Sequence, residues 1–227
     1  MSERHVWVSN PNKMENVKRW NEFEREDRSN AAVSDELYEM WERNERGEPL
    51  DPSEVPDRFY KPRSEKPAMP PDTAHIMNSG FLFVSPECAT VLRAHEMGEG
   101  QLIPVRLFES DRTTELPEGW CVLNVAARKD TYLPEASART DRPYGDVIEA
   151  YTLPANPKDD EQAFGPGALE GADIWREKRF PLGHLFLTDR LADALREAGV
   201  AEPWLMTRCR VEETVASPRH ALLREPA

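Results

Sequence analysis

Leu82-Phe83-Val84-Ser85-Pro86, continuing through Ala89, Leu92 and Arg93, returns later in the chain as Leu185-Phe186-Leu187-Thr188-Asp189, continuing through Ala192, Leu195 and Arg196. The second copy follows the first by 103 residues, and the spacing holds downstream, where Leu102-Ile103 falls opposite Leu205-Met206. A short apolar run rich in aromatic and branched residues predicts a buried strand, and a hydroxyl directly after it predicts a helix N-cap. The Ser85 or Thr188 oxygen can accept from otherwise unpaired N–H groups of the first turn. Pro86 suits the first helical position because its missing donor costs nothing there, and Asp189 suits it through its charge near the positive end of the helix dipole. In the second copy Leu191, Ala194, Leu195 and Ala198 share one helical face, and Gly199 ends the helix. Apolar segments after each helix, Gln101 to Phe108 and Trp204 to Val211, read as strands. Either the copies descend from a duplication, or common strand–cap–helix grammar has produced them twice.

Around these units the chain changes character. Residues 1–73 read as a helical and proline-rich N-terminal arm, 74–213 as one main α+β domain, and 214–227 as a C-terminal tail. In the arm, Met14, Val17, Trp20 and Phe23 recur every three residues. Ser34 to Arg46 reads as a helix, capped by Ser34, lined by Leu37, Met40 and Trp41, and stopped by Gly47. Prolines from Pro49 to Pro71 keep the following backbone extended, as an arm or linker lying over the main domain. Within the domain, Trp120 to Val125 reads as a further strand and Val147 to Leu153 as a strand or edge segment. Ala126 to Asp141 reads as irregular, and Asn156 to Gly171 as a polar loop. Strands and helices mixed without regular crossover spacing give an α+β domain containing two strand–helix–strand units.

Of 227 residues, 31% are charged, and the formal net charge is −13 with a pI near 4.9. Nucleic acid and anionic membrane surfaces are therefore excluded as expected partners, because phosphate binding needs concentrated Lys and Arg. A basic protein would be drawn in by the field. Cys88, Cys121 and Cys209 stand far apart, neither a disulfide framework nor a zinc pattern. Met1-Ser2-Glu3-Arg4-His5 opens onto no signal-like apolar stretch and no run approaches membrane-spanning length, so cytoplasmic residence is expected.

Few residues fall into a pattern that catalysis or metal binding requires. Gly98-Glu99-Gly100 lacks a third glycine and precedes a strand. The histidines have no metal-binding spacing, and His184 reads as a packing or surface residue. Ser85 stands where a nucleophile could, yet helix capping accounts for it. Asp159-Asp160-Glu161 lacks the spaced oxygens of a calcium loop. No catalytic residue, metal ligand or cofactor is expected.

The stretch Gly171-Ala172-Asp173-Ile174-Trp175-Arg176, followed by Leu185 to Gly199, resembles the closing segment of bacterial immunity protein family eleven of polymorphic toxin systems. This family is typified by a myxobacterial member and was formerly described only as a domain of unknown function. The resemblance extends to Phe83-Val84-Ser85, to Val122-Leu123-Asn124-Val125 and to Cys209-Arg210-Val211, and covers roughly residues 70–213. Ala201-Glu202-Pro203 departs from it, where a more glycine-containing turn is expected. The resemblance implies a protein that binds and blocks a cognate toxin and has no catalytic residues. It supplies no contact residues. Charge suggests them instead: Glu109, Asp111, Glu115 and Glu118 in one loop and Asp159, Asp160 and Glu161 in another, facing a toxin that is basic. Two alternatives stay open: an interaction scaffold without a toxin, and an enzyme that reverses a toxin's modification. Self-association is left open by the residues.

Overall fold

The computed structural model describes residues 5–9, 31–60, 75–79, 81–138, 140–145, 149–154, 156–180 and 183–213. It is an α+β fold. The Leu82 pattern forms β4 (Phe81–Val84) and α2 (Pro86–Arg93), and the Leu185 pattern forms β11 (Leu185–Thr188) and α3 (Asp189–Glu197). The first unit adds β3 (Ile76–Ser79), β5 (Gln101–Pro104) and β7 (Cys121–Asn124); the second adds β1 (Val6–Ser9), β10 (Ile174–Glu177) and β12 (Met206–Val211). The first sheet runs β3-β4-β7-β5 and the heart of the second runs β10-β11-β1-β12, antiparallel throughout. Strand for strand the order is the same. The difference is that β7 follows β5 in the chain, whereas its counterpart β1 comes from the N-terminal segment.

Alternation along the strands decides what each face buries. Leu82 and Val84 meet Leu185 and Leu187 in a central core that also holds Leu92, Leu195 and Trp204. Phe83 points the other way into a second core with Phe59, Ile103 and Val122. Phe186 does the same into a third, with Val8, Phe164 and Trp175. The central core, with α2 packed on α3, joins the units.

Several sequence expectations change here. The ungapped spacing slips by one after the helices: Leu102 and Met206, not Leu102 and Leu205, occupy matching positions, opposite Leu123 and Ser9. The extra residue is Leu205, held at φ +45° after the turn at Glu202–Trp204. Ser85 caps α2, accepting from the Cys88 N–H at 3.2 Å, but Thr188 makes no side-chain cap on α3. The buried face of α3 is Leu191, Ala192 and Leu195, while Ala198 is exposed. Gly199 does end the helix, at φ +72°.

The segment expected to lie over the domain contributes to its interior where it is described. Besides β1, an inner strand, α1 (Ala31–Glu45) leans Leu37, Met40 and Trp41 on the second core, which Leu50, Val55 and Phe59 complete. Because α1 begins at Ala31, Ser34 lies within the helix and does not cap it. Gly47 stops the helix at φ +71°, and a Cβ there would come within 2.9 Å of Arg176 Cδ. Beyond it, β2 (Arg58–Tyr60) pairs in parallel with β6 (Arg106–Phe108). The apolar run from Gln101 to Phe108 is thus divided at Val105 between two sheets. The Met14–Phe23 pattern, the prolines from Pro62 to Pro71 and the tail 214–227 lie outside the described residues.

Two stretches expected to be irregular lend short strands to the second sheet. β8 (Arg128–Lys129) pairs in parallel with β10, and β9 (Ala163–Phe164) in parallel with β12. The 156–171 segment is therefore not merely a polar loop, since Gln162, Ala163, Phe164 and Ala168 are buried. At the other doubtful edge, Thr152 makes an isolated bridge with Asp141, and residues 146–148 lie outside the described residues.

Candidate functional site

A groove of about 380 Å³ opens beside the start of β7. Its floor is the outer skin of the second core, Val105, Leu116 and Trp120, all largely buried. Its rim is charged. Asp57 and Glu118 are exposed carboxylates, and Arg106 grips Glu115 through Nε at 2.7 Å and Nη2 at 2.5 Å. That pairing holds the Glu115 carboxyl below its ordinary value. Arg93, in the last turn of α2, donates from Nη2 to Cys121 Sγ at 3.3 Å. Burial nevertheless pushes the Cys121 thiol up, against the pull of Arg93. A neutral thiol at neutral pH is a poor nucleophile. An apolar floor under a charged rim can seat a side chain from another protein and orient it.

The seven acidic residues expected at an interface occupy two places on different sheets. Glu109, Asp111, Glu115 and Glu118 follow β6. There, the Glu109 N–H donates to the Thr114 carbonyl at 2.8 Å. Asp111 accepts from the N–H groups of Thr113 and Thr114 and from the Thr114 hydroxyl, which together hold its carboxyl down to about 2. Its charge is spent on closing the loop. Asp159, Asp160 and Glu161 precede β9 and are tied to β12 and to their own turn. Asp159 accepts from the Arg208 N–H, Asp160 takes both Nε and Nη2 of Arg208, and Glu161 accepts from the Lys158 N–H. The Arg208 pairing lowers the Asp160 carboxyl. Among the described residues, Glu118 is the one of the seven with neither hydrogen bond nor ion pair. Of the seven, only Glu115 and Glu118 line the groove.

Sequence reading missed the groove's Asp57, Arg93 and Arg106. It also missed two interior networks. Asp173, fully buried, accepts from the Thr188 hydroxyl at 2.5 Å, from Arg190 Nε and from the Glu96 N–H at 3.1 Å. Burial pushes its carboxyl up, but these donors outweigh burial and hold it below the ordinary value. Because Glu96 follows α2 and Asp173 precedes β10, the network ties one unit to the other. In the second, Lys129 Nζ donates to the carbonyls of Ala168 and Ala172, both at 2.8 Å, and lies 3.7 Å from the Trp175 ring centroid. Burial lowers its pKa to about 8. Nearby Glu177, also fully buried, accepts from the Thr131 N–H and hydroxyl and from the Trp175 indole. The Asp-Ile-Trp stretch marked the first network, since Asp173 begins it. Nothing local marked the second.

Other reactive groups are committed to structure. Ser85 Oγ lies 3.1 Å from His75 Nδ1, but the serine is 2% exposed and its oxygen already caps α2. Burial pushes the Cys88 thiol up to about 12 and raises Cys209 further. Among the described residues no group of three His, Cys, Asp or Glu could hold a metal ion. Among the same residues no helix is long and apolar enough to cross a membrane. No protein-family model matches the chain, and no curated protein matches it.

Proposed function

We propose that this chain is a cytoplasmic antidote of a polymorphic toxin system, which binds its cognate toxin one-to-one and covers the toxin's working surface. The observation that carries the reading is the resemblance of residues 171–176 and 185–199 to the closing segment of immunity protein family eleven. In this fold those residues form a continuous unit, β10, β11 and α3, with Ile174, Trp175, Phe186 and Leu195 fully buried. Supporting it are the net charge of −13 and the groove, whose apolar Trp120 floor lies under a rim of both signs, Asp57 and Glu118 with Arg93 and Arg106, able to orient a side chain of the partner. Negative charge would also speed encounter with a basic toxin, an effect that weakens as salt rises.

Co-expression with the product of the adjacent reading frame tests this. The expected result is rescue of growth and recovery of a stoichiometric complex. Rescue without a complex overturns occlusion, and so does purified chain that inactivates the toxin catalytically.

A further inference from the structure

We propose that the outer face of α1 is a docking surface for a basic protein, and that a lysine or arginine of that partner seats over Tyr38. The proposal rests on the antidote reading and specifies the partner's contact chemistry. Tyr38 is the most exposed large hydrophobic side chain among the described residues, at 57%. It is braced from below: its ring meets Trp41 edge-on at 5.2 Å between centroids, and Trp41 packs against the second core. A large ring held open to solvent on a packed support is the kind of residue that dominates protein interfaces.

Five rings of this chain already carry one of its own cations, and this points to the occupant. Arg196 lies 4.0 Å from the Trp7 centroid, Arg112 4.6 Å from Tyr60 and Arg106 5.1 Å from Phe108. Lys129 covers Trp175, while Arg142 and Arg179 approach Tyr151. Among the described residues no cation of the chain covers Tyr38 or Trp41. The residues one turn to either side of Tyr38 are instead Asp35 and Glu42, with Glu36 and Glu39 also on the helix. Asp35, Glu36 and Glu39 are exposed; Glu42 meets Arg46 at 3.6 Å. Tyr144, another exposed ring, has a cation, Arg142, as its near sequence neighbour. The negative face of the Tyr38 ring and these carboxylates both favour a positive charge. A second copy of this chain would bring a net charge of −13 against an acidic helix, and nucleic acid has the same wrong sign. A cationic protein surface has the right one.

The test measures binding of the full chain to the product of the adjacent reading frame. Tyr38→Ala should weaken binding about tenfold or more, with the melting temperature unchanged because the side chain is exposed. Tyr38→Phe should bind like wild type, since it keeps the ring. Glu36→Lys with Glu39→Lys should weaken binding and flatten its salt dependence. A complex indifferent to all of these overturns the α1 surface and leaves the antidote reading standing. A wild-type chain that forms no complex overturns both. A wild-type chain that runs alone as a dimer, split by Tyr38→Ala, assigns the face to a second copy and overturns the basic partner.

Discussion

The two four-stranded units share strand order and direction, and each sends a helix into one common core, yet they are completed differently. The first draws all its strands from residues 76–124. The second borrows β1 from the far end of the chain, and gains β8 and β9 as short parallel margins. Their helix starts also differ. Ser85 spends its hydroxyl on the backbone of α2, whereas Thr188 spends the equivalent group on Asp173. Apolar alternation thus fixes the face that is buried, while the polar atom at the same position serves whichever neighbour the surrounding chain supplies. Whatever the origin of the likeness, the shared feature is the packing pattern and the variable feature is the polar wiring.

The largest effect should come from Val8→Asp. Val8 is 2% exposed between Phe186 and Thr207, so an unpaired carboxylate there should cost about 4 kcal/mol or more. Chemical denaturation should then show a lowered midpoint for the whole fold; an unchanged midpoint would mean that β1 is dispensable. Next, Leu92→Ala and Leu195→Ala should each cost about 2–5 kcal/mol, because both side chains are wholly buried in the same core. Each variant should unfold in one transition seen alike by fluorescence and circular dichroism. Two separate transitions would show that the units do not share their stability.

Smaller changes probe the polar wiring. Thr188→Val leaves the buried Asp173 one donor short and should cost about 1–3 kcal/mol, while Ser85→Ala should cost about 1 kcal/mol through the lost cap. The reverse ranking would indicate that both hydroxyls do the same job. A different kind of response, to pH, should come from the β8 margin, which has no counterpart in the first unit. Burial lowers the Lys129 pKa from 10.5 to about 8, so between those values the unfolded chain binds this proton more tightly than the folded one. Lys129 therefore adds stability as pH rises through that window. Denaturation midpoints across it should rise less steeply in Lys129→Met than in wild type, and identical slopes would refute the shift.

Much of this fold was legible because its signals are local. The strand–cap–helix units, the strand at Trp120 to Val125 and the stop at Gly199 each declare themselves within about ten residues. β1 did not, although Val6-Trp7-Val8 is a short apolar run of strand-favouring residues, because four residues give no period without their partners. β8 and β9 are two residues long, and parallel pairing with distant strands defines them. The candidate contact residues were read from charge alone, and charge does not report whether a carboxylate is already occupied. Asp111 and Asp160 are engaged by their own chain, while Glu118, no more prominent in sequence, makes no such bond among the described residues and borders the groove. Helical spacing sets Trp41 with Leu37 and Met40 and leaves Tyr38 off that face, but it does not report that the Tyr38 ring stays exposed against a packed neighbour.

β1 has a consequence for synthesis. Trp7 reaches its hydrogen-bond partner Asp189 across 182 residues of chain, so this strand leaves the ribosome long before either of its neighbours. The first unit can condense while translation continues, whereas the second must await residues beyond 206 and then take up a strand made about 180 residues earlier. Non-local closure of this kind slows folding, and until it occurs the backbone groups of β11 and β12 that β1 pairs in the folded chain lack those partners.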